Sequence, residues 1–336
     1  MYPTDFGDGM KKPTVIDLFC GAGGLSLGFE KAGFEVAFAN DNNKYACETY
    51  RHNIKKGDKA LFEGNIEKII EFPKADVVAG GYPCQGFSLA GKRLVADPRN
   101  KLYLEFARCV REVEPKFFVA ENVKGLLTLG NGEIIKAMMR EFTTINGGYS
   151  VKYKLLNAKW FGAPQDRERV VIVGVRKDLK FDFQYPEPTH GPLAVKPYVT
   201  LKDVLWDLKE KPGLYQTGTF SPIYMSRNRK RNWDEQSFTI QAGARHAPLH
   251  PDSSDMVMVG KDKWKFLHSD KVRRLSVREC ARIQGFPDSF EFYGPIAEQY
   301  KQIGNAVPVP LSFAIAKQIN AYFKTEPIVL KALQRV

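Results

Sequence analysis

Short apolar runs and longer amphipathic stretches alternate through the first half of the chain. Val15-Ile16-Asp17-Leu18-Phe19 reads as a buried strand, followed by Gly21, Gly23 and Gly24. Apolar residues at helical spacing through Leu25, Phe29 and Ala32 then predict a helix that Gly33 stops. The same reasoning gives strands at 35–39 and 76–80 and helices at 44–53 and 102–113. On the last of these Leu102, Phe106, Cys109, Val110 and Val113 share one face. Strands at 117–120 and 170–175 and a helix at 133–142 complete the series. Strand–helix alternation at this spacing predicts an α/β fold built on a doubly wound, mostly parallel sheet.

The pattern changes near Tyr185, where Pro186, Pro188, Gly191, Pro192 and Pro197 crowd a short stretch and mark a boundary. From there to about Pro295 regular alternation is weak, and arginine and aromatic residues are frequent. A capping box at Ser276-Val277-Arg278-Glu279 opens a short helix there. An amphipathic helix returns at 310–323. The expected division is a large domain of residues 13–184 plus 299–336, a smaller irregular domain of 185–298, and a flexible arm of 1–12.

Composition adds direction more than detail. With 336 residues, 43% hydrophobic and 26% charged, the chain is expected to fold as a soluble protein with a sizeable core. No stretch approaches the ~20 apolar residues of a membrane helix. Met1 to Lys12 lacks the apolar centre of a signal peptide, so the expected compartment is the cytoplasm. A net charge of +12 favours a polyanionic partner, because Lys and Arg that neutralise phosphates release condensed counterions. The five cysteines lie far apart with no C-x-x-C pair, and Pro248 separates His246 from His250, so no metal site or disulfide framework is expected. Cys47 and Cys109 fall on helical patterns and read as small core residues. The asymmetric two-domain plan gives no dimer surface, which makes a monomer the expectation.

Three features carry candidate chemistry. The glycine turn Phe19 to Gly24 joins the first strand to the first helix, where backbone approaches a ligand closely and a helix N-terminus favours negative charge. Asp41 follows about 20 residues on, where a carboxylate commonly takes ribose hydroxyls. Spacing alone leaves a dinucleotide and S-adenosylmethionine both open, although Ser26 stands where a dinucleotide turn has its third glycine. Cys84 follows the strand that ends at Gly80-Gly81, which puts it at the carboxyl edge of the sheet. A lone loop thiol is usually incidental, but Glu121 follows the next strand, and Arg167 and Arg169 precede the strand at Val170.

The ordered set of Asp17 to Gly24, Pro83 to Ser88, Glu121 to Val123, Gln165 to Arg169, Arg273 to Asp288 and Gln302 to Pro310 resembles the cytosine-C5 DNA methyltransferase family, over nearly the whole chain. The resemblance implies the methyltransferase fold, S-adenosylmethionine as cofactor and duplex DNA as substrate. It implies that Cys84 adds to cytosine C6, Glu121 holds a proton at N3, Arg169 contacts the base O2 and Arg167 supports the site. Because cytosine is stacked in a duplex, the base has to be flipped out, and 92–101 is the candidate closing loop.

On the cofactor side the resemblance implies Phe19, Gly21, Gly23, Gly24, Asp41, Ile66, Pro83, Asn305 and Val307. Asn42 and Asn65 stand where relatives often have an aromatic residue and an aspartate. DNA contacts are implied for Gln85, Ser88, Lys92 and Arg93. In the smaller domain the basic stretch 225–233 carries Arg227, Arg229 and Arg231, followed by Thr239 and Arg245. This region resembles the target-recognition part of bacterial enzymes that modify GGCC, and arginine suits guanine O6 and N7. The same resemblance leaves open whether a companion restriction endonuclease exists, a functional and not necessarily physical partner, and implies an association with the nucleoid. An RNA cytosine methyltransferase, a non-catalytic DNA-binding protein and a nicotinamide-linked oxidoreductase are the alternatives.

Overall fold

The computed structural model describes residues 11–83, 101–211 and 213–333, with the side chains of residues 101 and 326–333 left aside. Its strands and helices begin as the apolar pattern requires. β1 (Thr14–Leu18) leads through the glycine turn into α1 (Gly24–Lys31), and β2 (Glu35–Asp41) into α2 (Lys44–Asn53). Asn43 caps α2, its side-chain oxygen accepting from the amides of Tyr45 and Ala46. α3 (Gly57–Ala60), β3 (Leu61–Glu63), β4 (Val77–Gly80), α4 (Lys101–Val113) and β5 (Phe117–Val123) follow. Then come α5 (Glu133–Thr144), β6 (Tyr149–Asn157), β7 (Gln165–Asp166) and β8 (Glu168–Arg176). β3, β6 and β7, whose apolar residues are too few or too interrupted to stand out, add three strands to those expected in this part of the chain.

Among the described residues the sheet has seven strands in the order β3-β2-β1-β4-β5-β8-β6. β2 pairs parallel with β1 and β3, and β4 pairs parallel with β1 and β5. The expected doubly wound, mostly parallel sheet is therefore present. The strand order reverses between β1 and β4, and a crevice outside the carboxyl ends of strands at such a point is where ligands of this architecture bind. The glycine turn leaves one of those ends and Gly81-Tyr82-Pro83 leaves the other.

β8 runs antiparallel to β5, with Val123 opposite Arg169 and Glu121 opposite Val171. This corrects one reading. Glu121, Asn122 and Val123 do not follow the strand but are its last three residues, because β8 continues to pair with β5 after β4 has ended opposite Ala120.

The core beneath this edge is dense in aromatic rings. Phe106, Phe118 and Phe142 are fully buried together, and Cys109, Val110 and Val113 of α4 join them, as the helical face predicted. Cys47 is also fully buried. α9 (Val309–Leu333) extends beyond the expected helix and packs on α1. The approach is close enough that a Cβ at Gly28 would collide with Ser312 Oγ, which itself donates to the Leu25 carbonyl.

Two compact units divide the chain. The first comprises residues 1–156, 168–187 and 311–336, and the second 157–167 and 188–310. The proline-rich boundary falls close to its expected place, but residues 157–167 and 299–310 belong with the second unit, not the large domain. The reason is local bonding within that unit. β7 pairs with β9 (Ser237–Phe238), and Gln165 Nε2 donates to the Ile283 carbonyl and to Gln284 Oε1. Tyr300 donates to the Leu275 carbonyl, and a Cβ at Gly304 would collide with the Gln241 backbone.

The second unit also holds a hairpin of β10 (Met256–Gly260) and β11 (Lys263–Phe266), and three helices, α6 (Leu201–Leu205), α7 (Val277–Ile283) and α8 (Ile296–Asn305). The capping box read at Ser276 and Glu279 opens α7 with both reciprocal bonds formed. Among the described residues no helix is long and apolar enough to cross a membrane.

Candidate active site

The glycine turn is held from below and from one side. Phe19 and Gly21 have left-handed backbones, with φ of 57° and 55°, and nothing lies within 4 Å of a Cβ built on Gly21. The Gly21 amide donates to Asp41 Oδ2 at 2.9 Å, and Asp41 Oδ1 accepts from the Asn43 amide at 2.8 Å. Beneath the turn Asp17 is buried, and its Oδ2 accepts from both the amide and the hydroxyl of Ser26, at 3.1 and 2.6 Å. Ser26 Oγ is also 2.7 Å from Tyr50 Oη. The residue that broke the dinucleotide pattern is thus Asp17's partner, tying β1 to α1. Burial pushes the Asp17 carboxyl up to about 7, against the lowering pull of its Ser26 bonds.

Beside the turn, Asn42 Nδ2 donates to Asn65 Oδ1 at 3.0 Å. The two positions at which this chain departs from the expected pattern therefore face each other as one amide pair. Ile66 is buried next to Asn65, and Phe19 is partly buried against the core. An aromatic face, exposed amides, a carboxylate and an open glycine backbone together match the chemistry of a nucleoside with ribose hydroxyls and an exocyclic amine.

At the end of β5, Glu121 Oε1 meets Arg169 Nε at 2.8 Å, each side chain only 12% exposed. Arg169 also donates from Nη1 to the Glu168 carbonyl. The antiparallel register creates this pair by bringing the polar start of β8 to the carboxyl end of β5. Gly81 completes the surround, since a Cβ there would lie 3.1 Å from Glu121 Oε2. Asn122 points the other way, its Nδ2 donating to the Tyr82 carbonyl at 3.1 Å and so fixing the backbone that leads into Pro83. Pro83 itself is exposed. Cys84, Gln85, Ser88, Lys92 and Arg93, with the candidate closing loop up to residue 100, lie outside the described residues. The four described cysteines, Cys20, Cys47, Cys109 and Cys280, are all buried, and burial pushes every one of their thiols up.

In the second unit Arg167 is 2% exposed and binds three carbonyls, those of Ile240 (2.8 Å), Gly304 (2.7 Å) and Ala306 (3.0 Å). Asn305, the last residue of α8, is exposed, whereas Val307 is buried. The four arginines singled out for DNA differ sharply. Arg229 donates to the carbonyls of Tyr224 and Ile223, and Arg231 pairs with Glu235 at 2.9 Å over the Phe238 ring. Arg227 and Arg245 are exposed. A cavity of about 290 Å³ gathers Arg227, Arg229 and Thr239 with Asp166, Gln241 and His246, the last three not picked out as site residues from sequence. Their signal was the spacing of Gln241 and His246 around Arg245, which spacing alone does not distinguish from a loop.

The family model described as C-5 cytosine-specific DNA methylase matches residues 13–321. The chain belongs to that family. It is 48% identical to the Type II methyltransferase M.BspRI of Lysinibacillus sphaericus, over 93% of this chain and 82% of the relative. It is 47% identical to the Type II methyltransferase M.BsuRI of Bacillus subtilis, over 92% and 79%. Among solved structures, the methyltransferase EhMeth of Entamoeba histolytica superimposes with a TM-score of 0.66 at 17% identity, over 94% of this chain and 99% of that one, which shows the fold. As a C-5 cytosine-specific DNA methylase the protein is a DNA cytosine-5-methyltransferase, and its methyl donor is S-adenosylmethionine. The glycine turn with Asp41 and the amide pair fits the nucleoside part of that donor.

Proposed function

We propose that the enzyme methylates C5 of a flipped-out cytosine through a covalent adduct between Cys84 and C6. The observation that carries this reading is the Glu121–Arg169 pair at the carboxyl end of β5, one strand from the segment that leads to Cys84. C5 of cytosine is too weak a nucleophile to take a methyl group unaided. Addition of the Cys84 thiolate to C6 moves the C5–C6 π electrons into the ring, and a proton delivered to N3 from Glu121 stabilises the resulting enamine. S-adenosylmethionine supplies an electrophilic methyl group on a sulfonium. With the donor held by the glycine turn and Asp41, C5 would take that methyl group and the donor would leave as a thioether. Solvent water then takes the C5 proton, the C5–H electron pair forms the C5–C6 double bond, Cys84 sulfur leaves C6 as the thiolate, and the N3 proton returns to Glu121.

Each remaining residue has a defined duty. Arg169 orients Glu121 and, by its position, hydrogen-bonds the base oxygen O2. Asn122 fixes the Tyr82 backbone before Pro83-Cys84. Arg167, whose Nη1 and Nη2 donate to three carbonyls, is a positioning residue. Asp41 takes the ribose, Phe19 the adenine face and Asn65 the adenine amine. The burial of the other four thiols supports Cys84 as the nucleophile, since the thiolate is the reactive form.

In the second unit the 290 Å³ cavity is the base-reading surface, with Arg227 as its exposed guanine reader and Thr239 beside it. A short G·C-only site such as GGCC suits that chemistry, and the Type II relatives suggest a restriction–modification setting. Bisulfite sequencing of DNA from cells expressing the protein gives the site directly, with methylation at cytosines of GGCC expected. Methylation confined to another motif overturns that target. Labelled methyl transfer to duplex DNA, but not to transfer RNA, is expected of the purified protein, and the reverse preference overturns the DNA reading.

A further inference from the structure

The β10–β11 hairpin has one face in the core of the second unit. Met256 is buried with Tyr224 and Leu249, and Trp264 and Phe266 pack against them, the Phe266 ring centroid 5.0 Å from that of Phe220. Alternation along a strand puts the neighbours of these residues on the other face. That face carries Lys263 and Lys265, with Lys265 directly opposite Val257, and Lys261 stands in the turn. All three lysines are exposed, and among the described residues none is in an ion pair.

A groove of about 650 Å³ adjoins this face, lined by Asn228, Lys230, Arg231, Asn232, Phe238 and Val257 among others. Its two carboxylates are already matched, Glu235 by Arg231 at 2.9 Å and Asp255 by Lys230 at 2.6 Å. Val257 lines the groove and directly opposed side chains stand roughly 5 Å apart, so Lys265 is at the groove's rim. Phe238 is shared between this groove and the 290 Å³ cavity, making the two concavities neighbours.

We propose that this groove and the lysine row Lys261, Lys263 and Lys265 grip the phosphate backbone of duplex DNA beside the target site. The charge left unmatched is net positive, three lysines against the exposed Asp262 in the turn, and the other groups, amides and backbone, are those that bind phosphate oxygens without reading sequence. Lysines two apart on one strand face stand roughly 6.6 Å apart, so neighbouring ammonium groups meet neighbouring phosphates of one DNA strand. The rigid attachment of the opposite face means that little ordering is needed on binding. The proposal rests on duplex DNA being the substrate.

The test is the full chain carrying Lys261→Gln, Lys263→Gln and Lys265→Gln, with duplex binding measured by anisotropy over a salt series. The slope of log K against log salt is expected to fall by about 0.9 for each phosphate that a lysine no longer neutralises, so by between about 1 and 3. The loss in affinity is expected to be equal for duplexes with and without the target, and the target methylated is expected to stay the same. An unchanged slope, or a loss confined to target-bearing duplex, overturns the proposal. Methyl transfer to duplex DNA by the parent protein reports the underlying reading separately. If the parent transfers and the slope does not change, only the phosphate grip fails.

Discussion

Glu121 stands between two groups that the sequence separates widely, Arg169 at 2.8 Å on one carboxylate oxygen and the Gly81 backbone against the other. Glu121→Gln keeps the shape but removes the carboxyl to which the proposed mechanism assigns the N3 proton. It is expected to lower kcat by about 10²-fold or more while leaving cofactor affinity near that of the parent, as steady-state kinetics and calorimetric titration would show. A parental kcat removes Glu121 from proton transfer. Gly81→Ala tests the same carboxylate from its other side. The added Cβ at 3.1 Å presses on Oε2, so a fall in kcat of about 10-fold or more is expected without a comparable fall in melting temperature. Equal loss of both would make Gly81 a packing residue only.

At this scale the residues were legible as short motifs: Glu121, Arg169 and Asp41 were named from sequence, and the structure puts Asp41 on the turn and Glu121 on Arg169. Gly81 and the Asn42–Asn65 bond were not legible. They depend on the backbone spacing between strands and loops, which no local pattern encodes.

Among elements, β1 and α1 are joined by Asp17, Ser26 and Tyr50, and Arg167 joins β7 to the loops around Ile240 and Gly304. Asp17 makes a definite pH prediction. Its carboxyl is raised by burial to about 7 from an ordinary 3.8, so between those values the folded chain holds a proton that the unfolded chain has released. Its stability contribution is complete below about 3.8 and is lost as pH rises through about 7. The stability of the parent relative to Asp17→Asn, from denaturant unfolding, is therefore expected to decline from pH 4 to 7. A rise over that interval contradicts the assignment. Buried His250 slopes the opposite way, because burial lowers it to about 4 and protonation then favours the unfolded chain. The difference between parent and variant cancels that background.

Arg167→Ala takes the guanidinium from the buried Ile240 and Gly304 carbonyls, leaves that of Ala306 with Gln284 alone, and is expected to cost about 3 kcal/mol in stability. Wild-type stability in Arg167→Ala would show that the three bonds are dispensable. Strand and helix types in the first half were readable because each is a local apolar period. The extra length of β5 was not, since only its pairing with the distant β8 makes Glu121–Val123 strand.

For the whole molecule, the +12 charge gave the class of partner correctly but not where the charge acts. Arg229 and Arg231, the centre of the most basic stretch, are tied to Tyr224, Ile223 and Glu235, while Arg227 and the hairpin lysines are exposed. Runs of basic residues mark an interface coarsely because ion pairs made in the fold neutralise some of them. The division into units shows the same limit. Prolines marked the crossing near residue 187, but at the return at 310–311 Pro308 and Pro310 read as the first turn of one helix and not as a boundary.

The central claim, covalent catalysis by Cys84, is tested most directly by incubating the enzyme and S-adenosylmethionine with a duplex bearing 5-fluorocytosine at the target. Fluorine cannot leave C5 as a proton does, so elimination is blocked once the methyl group has transferred. The predicted result is a protein–DNA adduct stable to denaturation, its mass one enzyme plus one methylated duplex, with the linkage mapped to Cys84 and absent in Cys84→Ser. Release of methylated product with no trapped complex, or a linkage at another residue, would contradict it.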